Sequence, residues 1–103
     1  MSFFTKILII RANDSSSFYL SIRANEYSVT EYLVQQNDWD IALLEFDRAR
    51  DRWDGSDDFK LRYTAGSPTV RLQFKVSPTK VDHFRVPFSH FQTARAEVAN
   101  LFK

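Results

Sequence analysis

Three segments decide the fold: Phe59-Lys60-Leu61-Arg62-Tyr63, Thr69-Val70-Arg71-Leu72-Gln73-Phe74-Lys75-Val76 and His83-Phe84-Arg85-Val86-Pro87-Phe88. In the first, Phe59, Leu61 and Tyr63 alternate with Lys60 and Arg62. In the second, Val70, Leu72, Phe74 and Val76 alternate with Thr69, Arg71, Gln73 and Lys75. In the third, Phe84, Val86 and Phe88 alternate with His83 and Arg85. Successive side chains of a strand point to opposite faces, so this period of two predicts three half-buried strands of an antiparallel meander. Ala65-Gly66-Ser67-Pro68 and Ser77-Pro78-Thr79-Lys80 supply the turn chemistry between them. The same alternation places Lys60, Arg62, Arg71, Lys75 and Arg85 on one outward face, a row of cations suited to a phosphate backbone or to a partner surface. Tyr19 and Tyr63 are the tyrosines available for base stacking, although Tyr63 shares the phase of the core residues Phe59 and Leu61. A solvated strand face that resists edge-to-edge aggregation accounts for the same cations without a ligand.

Downstream, the period lengthens at Ser89. Phe91, Ala94, Val98, Leu101 and Phe102 fall on one face, and Ser89 with Gln92 has the spacing of a capping box, so one amphipathic helix closes the chain. Upstream, Asp47 to Asp58 carries five aspartates and three arginines around Gly55 and reads as a solvated loop. Its Asp54, Asp57 and Asp58 lack the ligand order and terminal glutamate of a calcium loop. The run Trp39-Asp40-Ile41-Ala42-Leu43-Leu44-Glu45-Phe46 has strand length and reads as the centre of the sheet. Residues 27–36 fit two patterns, a helix opened by Ser28 and Glu31 or a strand alternating through Tyr27, Val29, Glu31 and Leu33; extended chain is the preferred reading. At the N-terminus, Phe3 to Ala12 reads as a buried strand that ends in Asn13-Asp14-Ser15-Ser16 and pairs as a hairpin with the strand carrying Phe18, Leu20 and Ile22. The expected class is therefore mainly β (α+β): one antiparallel sheet, flat or curled into a small barrel or sandwich, with a single C-terminal helix.

The 103 residues suit one domain, 1–103. Aromatic residues make up 16% of the chain, ten of them Phe, which favours sheet. There is no cysteine, hence no disulfide framework, and the N-terminal apolar run lacks the features of a signal peptide and the length of a membrane span, so an intracellular protein is expected. Catalysis finds little support. His83 and His90 stand outside any nucleophile motif, and Gly55 and Gly66, the only glycines, cannot build a phosphate-cradling loop. No enzyme activity, metal, cofactor, membrane or small-molecule substrate is expected. Charge is distributed unevenly. Residues 1–58 hold 6 Lys/Arg and 11 Asp/Glu, whereas residues 59–103 hold 8 and 2. Net charges of −5 and +6 suit head-to-tail self-association or docking on a larger assembly.

Over residues 7–47, the segments Ile7-Leu8-Ile9-Ile10-Arg11-Ala12-Asn13-Asp14-Ser15-Ser16, Tyr27-Ser28-Val29 and Asp38-Trp39-Asp40-Ile41-Ala42-Leu43-Leu44-Glu45-Phe46 resemble the N-terminal module of capsid-associated proteins of Polinton-like transposons and adintovirus-type DNA viruses. The resemblance implies a structural role in a virion, through self-association or a protein partner, and no chemistry. The expected architecture is also similar to that of single-stranded nucleic-acid-binding proteins of the coactivator and Whirly type, in which a sheet is followed by a helix. That likeness concerns architecture alone. The leading expectation is a non-enzymatic structural or interaction protein, and the alternative is a single-stranded DNA or RNA binder that uses the basic sheet face.

Overall fold

The Asn13–Ser16 turn organises the first half of the molecule. Asp14 Oδ1 accepts hydrogen bonds from the Ser16 amide at 2.7 Å and from the Ser16 and Ser17 hydroxyls at 3.1 and 3.0 Å. These donors, the Ser16 amide first, hold the Asp14 carboxyl below its ordinary value. The turn joins β1 (Ile7–Ala12) to β2 (Ser17–Asn25), which pair antiparallel, and β2 pairs in turn with β3 (Ser28–Gln35). The computed structural model describes residues 7–25 and 27–102, so the expected strand start at Phe3–Lys6 lies outside the described residues. Residues 28–35 are strand, in agreement with the preferred reading.

The Trp39 run is not a strand. It forms α1 (Gln36–Leu43), followed by one 3₁₀ turn at Phe46–Arg48. Trp39, Ala42 and Phe46 are buried, whereas Ile41 and Leu44 are exposed. Spacings of three and four residues between buried positions define a helix, and the intervening exposed apolar residues conceal that period in the sequence. The Gln36 amide donates to the Ser16 carbonyl at 2.8 Å, which fixes the start of α1 against the first turn.

The meander forms as expected and gains a fourth strand. β4 (Asp54–Gly55), β5 (Phe59–Arg62), β6 (Thr69–Ser77) and β7 (Lys80–Pro87) make an antiparallel sheet in chain order. α2 (Phe88–Leu101) then closes the chain and buries Phe91, Ala94 and Val98, while Leu101 is 40% exposed. Pro87 occupies its N-cap position, and no side chain caps the helix there, so the Ser89–Gln92 capping box does not form. The Phe88 amide bonds instead to the Pro68 carbonyl at 2.8 Å.

The described residues thus form a mixed α/β fold, with two helices in place of one and with two separate antiparallel sheets, of three and four strands. Each sheet is followed by a helix that packs across to the other sheet: α1 against β4 and β5, α2 against β1. Trp39, 2% exposed, fastens the layers. Its indole meets Phe18 of β2 edge-on at 5.3 Å, Phe59 of β5 at 5.5 Å and Phe91 of α2 at 5.6 Å. A second link joins β3 to the four-stranded sheet. The Tyr32 ring stacks on Phe74 at 4.0 Å, and its hydroxyl donates to the Asp82 carboxylate. No helix among the described residues is long and apolar enough to cross a membrane.

Candidate functional site

With Phe59, Leu61, Val70, Leu72, Phe74 and Val86 buried, the alternate residues of β5, β6 and β7 form the outer face of the four-stranded sheet. Strand register brings Arg62 opposite Arg71, and Arg71 opposite Arg85. Three arginines therefore stand side by side across three adjacent strands. The next row is Lys60, Gln73 and His83, in which the His83 ring nitrogen Nε2 lies 2.9 Å from Gln73 Oε1. Lys75 lies one row further, opposite Val81, and its ammonium pairs with Asp57. All five cations singled out in the sequence share this face, but only Arg62, Arg71 and Arg85 form one row.

Like charges directly opposite one another destabilise a sheet. Partial compensation comes from Asp51, whose Oδ1 accepts from Arg62 Nε at 3.0 Å and from Thr64 Oγ1 at 2.9 Å. Those hydrogen bonds, Arg62's first, hold the Asp51 carboxyl below its ordinary value, with Arg71 adding to the effect through its charge. Among the described residues, no carboxylate lies within ion-pair distance of Arg71 or Arg85.

The backbone before β4 delivers Asp51 and a further residue to this face. Arg50 stands opposite Thr64 and Asp54 opposite Leu61, so residues 51–53 face only residues 62–63, and the strand bulges. Ala49 and Asp51 take left-handed conformations there, with φ of 50° and 56°. The Asp51 amide is held by the Tyr63 carbonyl at 3.0 Å. Trp53, next to inward-facing Asp54, takes the outward phase. Its indole lies 5.6 Å from the His83 ring.

Two cavities open on this face. One, of about 390 Å³, is lined by Trp53, Arg71, His83, Phe84 and Arg85. The other, of about 300 Å³, holds Asp51 and the three arginines together with the hydroxyl-bearing Thr64, Ser67 and Thr69. They share Arg71 and Arg85.

Neither tyrosine considered for stacking belongs to the site. Tyr63 packs between Phe46 and Phe88 at 5.1 and 4.9 Å, and Tyr19 lies on the other sheet beneath the Arg11 guanidinium, 4.5 Å away. Trp53 takes that place. The signal in the sequence was a lone tryptophan inside a charged loop, where no core periodicity accounts for it.

The acidic segment is not a separate pole. Asp47 pairs with Arg95 of α2, Asp51 with Arg62, Asp54 with Arg52 and Asp57 with Lys75. Three of these pairs, with Arg95, Arg62 and Lys75, join the acidic half to the basic half, so part of their opposed charge is neutralised inside one molecule. No group of three His, Asp or Glu side chains placed to hold a metal ion occurs among the described residues. Fold and site together define a small two-sheet α/β protein with a cationic, aromatic sheet face. Comparisons with protein-family models, curated proteins and solved structures gave no match for this chain.

Proposed function

We propose that this protein is a non-enzymatic nucleic-acid-binding module that holds a single strand across the outer face of its four-stranded sheet. The observation that carries the reading is the Arg62–Arg71–Arg85 row, two of whose members lack a carboxylate partner among the described residues. An uncompensated row costs stability unless an anion completes it. A chain of phosphates supplies anions at intervals, and guanidinium groups match phosphate oxygens in pairs. Trp53, half-buried, and His83 favour a single strand, because stacking on an aromatic ring needs an unpaired base. Fluorescence anisotropy with a labelled single-stranded oligonucleotide tests the reading. Binding must weaken steeply with salt and on neutralising Arg62 or Arg71, and a chain that binds no oligonucleotide at low salt refutes it.

A second reading, a capsid-associated component that self-assembles or docks on a virion shell, draws on the resemblance over residues 7–47 and on a different surface. Edge strand β3 exposes Val29 and Leu33 at 48% and 50%, beside Tyr27 at 90%. Apolar side chains on an open sheet edge favour association. Light scattering at low and high salt tests it: a strict monomer at high concentration under both conditions counts against this reading.

A further inference from the structure

Resting on the nucleic-acid reading, we infer that the adjoining cavities on the outer face form one subsite for a strand end: a terminal phosphate monoester beside Arg62, Arg71 and Arg85, and the terminal base on Trp53. Charge balance favours the end over the middle of a strand. Three guanidinium groups against the single Asp51 carboxylate leave two positive charges in the smaller cavity. A phosphate monoester carries about −1.5 to −2 at neutral pH, whereas an internal phosphodiester carries one negative charge. The dianion neutralises the cavity, and the monoanion leaves it cationic.

The shape of the site agrees. The phosphate cavity is closed on one side by the 64–69 turn, where Ser67 Oγ donates to the Thr69 carbonyl at 3.0 Å and accepts from the Thr69 amide at 3.2 Å. A terminal phosphate needs only one route in and out, along the strand to which it is attached. The base cavity shares Arg71 and Arg85, so the two cavities adjoin and one nucleotide can place its phosphate in one and its base in the other. With centroids 5.6 Å apart and planes tilted by 45°, the Trp53 and His83 rings leave no gap for a base between them, so stacking on the indole has to use its face away from His83.

The experiment compares three versions of one oligonucleotide of about a dozen nucleotides with an internal label: 5′-phosphorylated, 3′-phosphorylated, and hydroxyl at both ends. The expected result is that one phosphorylated form binds about tenfold more tightly than the hydroxyl-ended form, the effect of one added charge-assisted hydrogen bond. That preference disappears in Arg85→Gln, whose folding is checked by circular dichroism. The two phosphorylated arms identify which end is read. Equal, salt-dependent affinity for all three strands overturns the end site but leaves the nucleic-acid reading in place. An end preference that survives in Arg85→Gln overturns the assignment to this cavity, and absence of binding by every strand overturns both.

Discussion

The Trp53 and His83 rings meet at 5.6 Å although they come from opposite edges of the four-stranded sheet, Trp53 directly before β4 and His83 within β7. The contact therefore runs across the outer face, over the strands that carry Arg62 and Arg71. Its consequence is optical as well as energetic. The other tryptophan, Trp39, is 2% exposed, so fluorescence changes on binding must come from Trp53. Oligonucleotide should quench wild-type emission and leave Trp53→Phe unquenched. Trp53→Ala should lose about 1–3 kcal/mol of binding, the worth of one stacked base. Quenching that persists in Trp53→Phe would locate the ligand elsewhere.

Arg71 stands between Arg62 and Arg85 and meets a like charge on each side. Replacing it with glutamine removes both repulsions. Arg71→Gln should therefore melt no lower than wild type, while the slope of log affinity against log salt falls by about one. A lower melting temperature with an unchanged salt slope would assign Arg71 a structural role.

The strands were legible because one buried face imposes a period of two on each of them, and the same period showed which cations point outward. Register was not legible. Which three of the five cations stand in one row depends on how β5, β6 and β7 slide against one another. The α1 helix stayed hidden because Ile41 and Leu44, exposed in the fold, fill the gaps between the buried positions and make Trp39–Phe46 look densely apolar. Trp53 was hidden for the opposite reason. It sits in a bulge, where position has no period, and only the pairing of Arg50 with Thr64 and of Asp54 with Leu61 reveals the face it joins.

Acid should weaken the fold through its ion pairs. Asp47, Asp51 and Asp57 are held below the ordinary aspartate value of 3.8, in each case first by the hydrogen bond from its cation: Arg95, Arg62 and Lys75 respectively. A carboxyl depressed in the folded state contributes stability that is present above the unfolded value and is lost as pH falls through the folded one. The melting temperature should thus hold between about pH 7 and 5 and decline below about pH 4. Asp51→Asn combined with Asp57→Asn should flatten that decline, and added salt should do so partly, since these pairs are exposed. An acid slope unchanged in the double variant would exclude the Arg62 and Lys75 pairs as its source.

Tyr32 contributes on the alkaline side, as does Lys75, raised by its hydrogen bond to Asp57. Burial first, then its hydrogen bond to Asp82, raise the phenol above its ordinary 10.0. A raised folded value gives stability that is complete below the unfolded value and lost as pH rises, so wild type should begin to weaken above about pH 10. Tyr32→Phe keeps the stacking on Phe74 and removes the titrating group. Its cost at neutral pH should be about 1–2 kcal/mol, because Asp82 loses a donor. The two proteins should then converge in stability as pH rises, which denaturant titrations at neutral and high pH measure directly.

The segment that carries Asp51 and Trp53 to the site is held by backbone geometry, and two substitutions with opposite signs test this. Ala49 has a left-handed φ of 50°, which disfavours a Cβ, so Ala49→Gly should stabilise the protein by about 1 kcal/mol. Gly55 has φ 145°, and a Cβ there would collide with the Phe59 carbonyl oxygen and fall 2.9 Å from Lys60 Cα. Both contacts are backbone and cannot yield without opening the β4–β5 hairpin. Gly55→Ala should therefore cost about 2 kcal/mol or more. Because that hairpin sets the phase of Trp53, the variant should also lose oligonucleotide affinity under conditions where it remains folded. Ala49→Gly should gain stability without a comparable loss of binding, and denaturant titration paired with anisotropy separates the two outcomes.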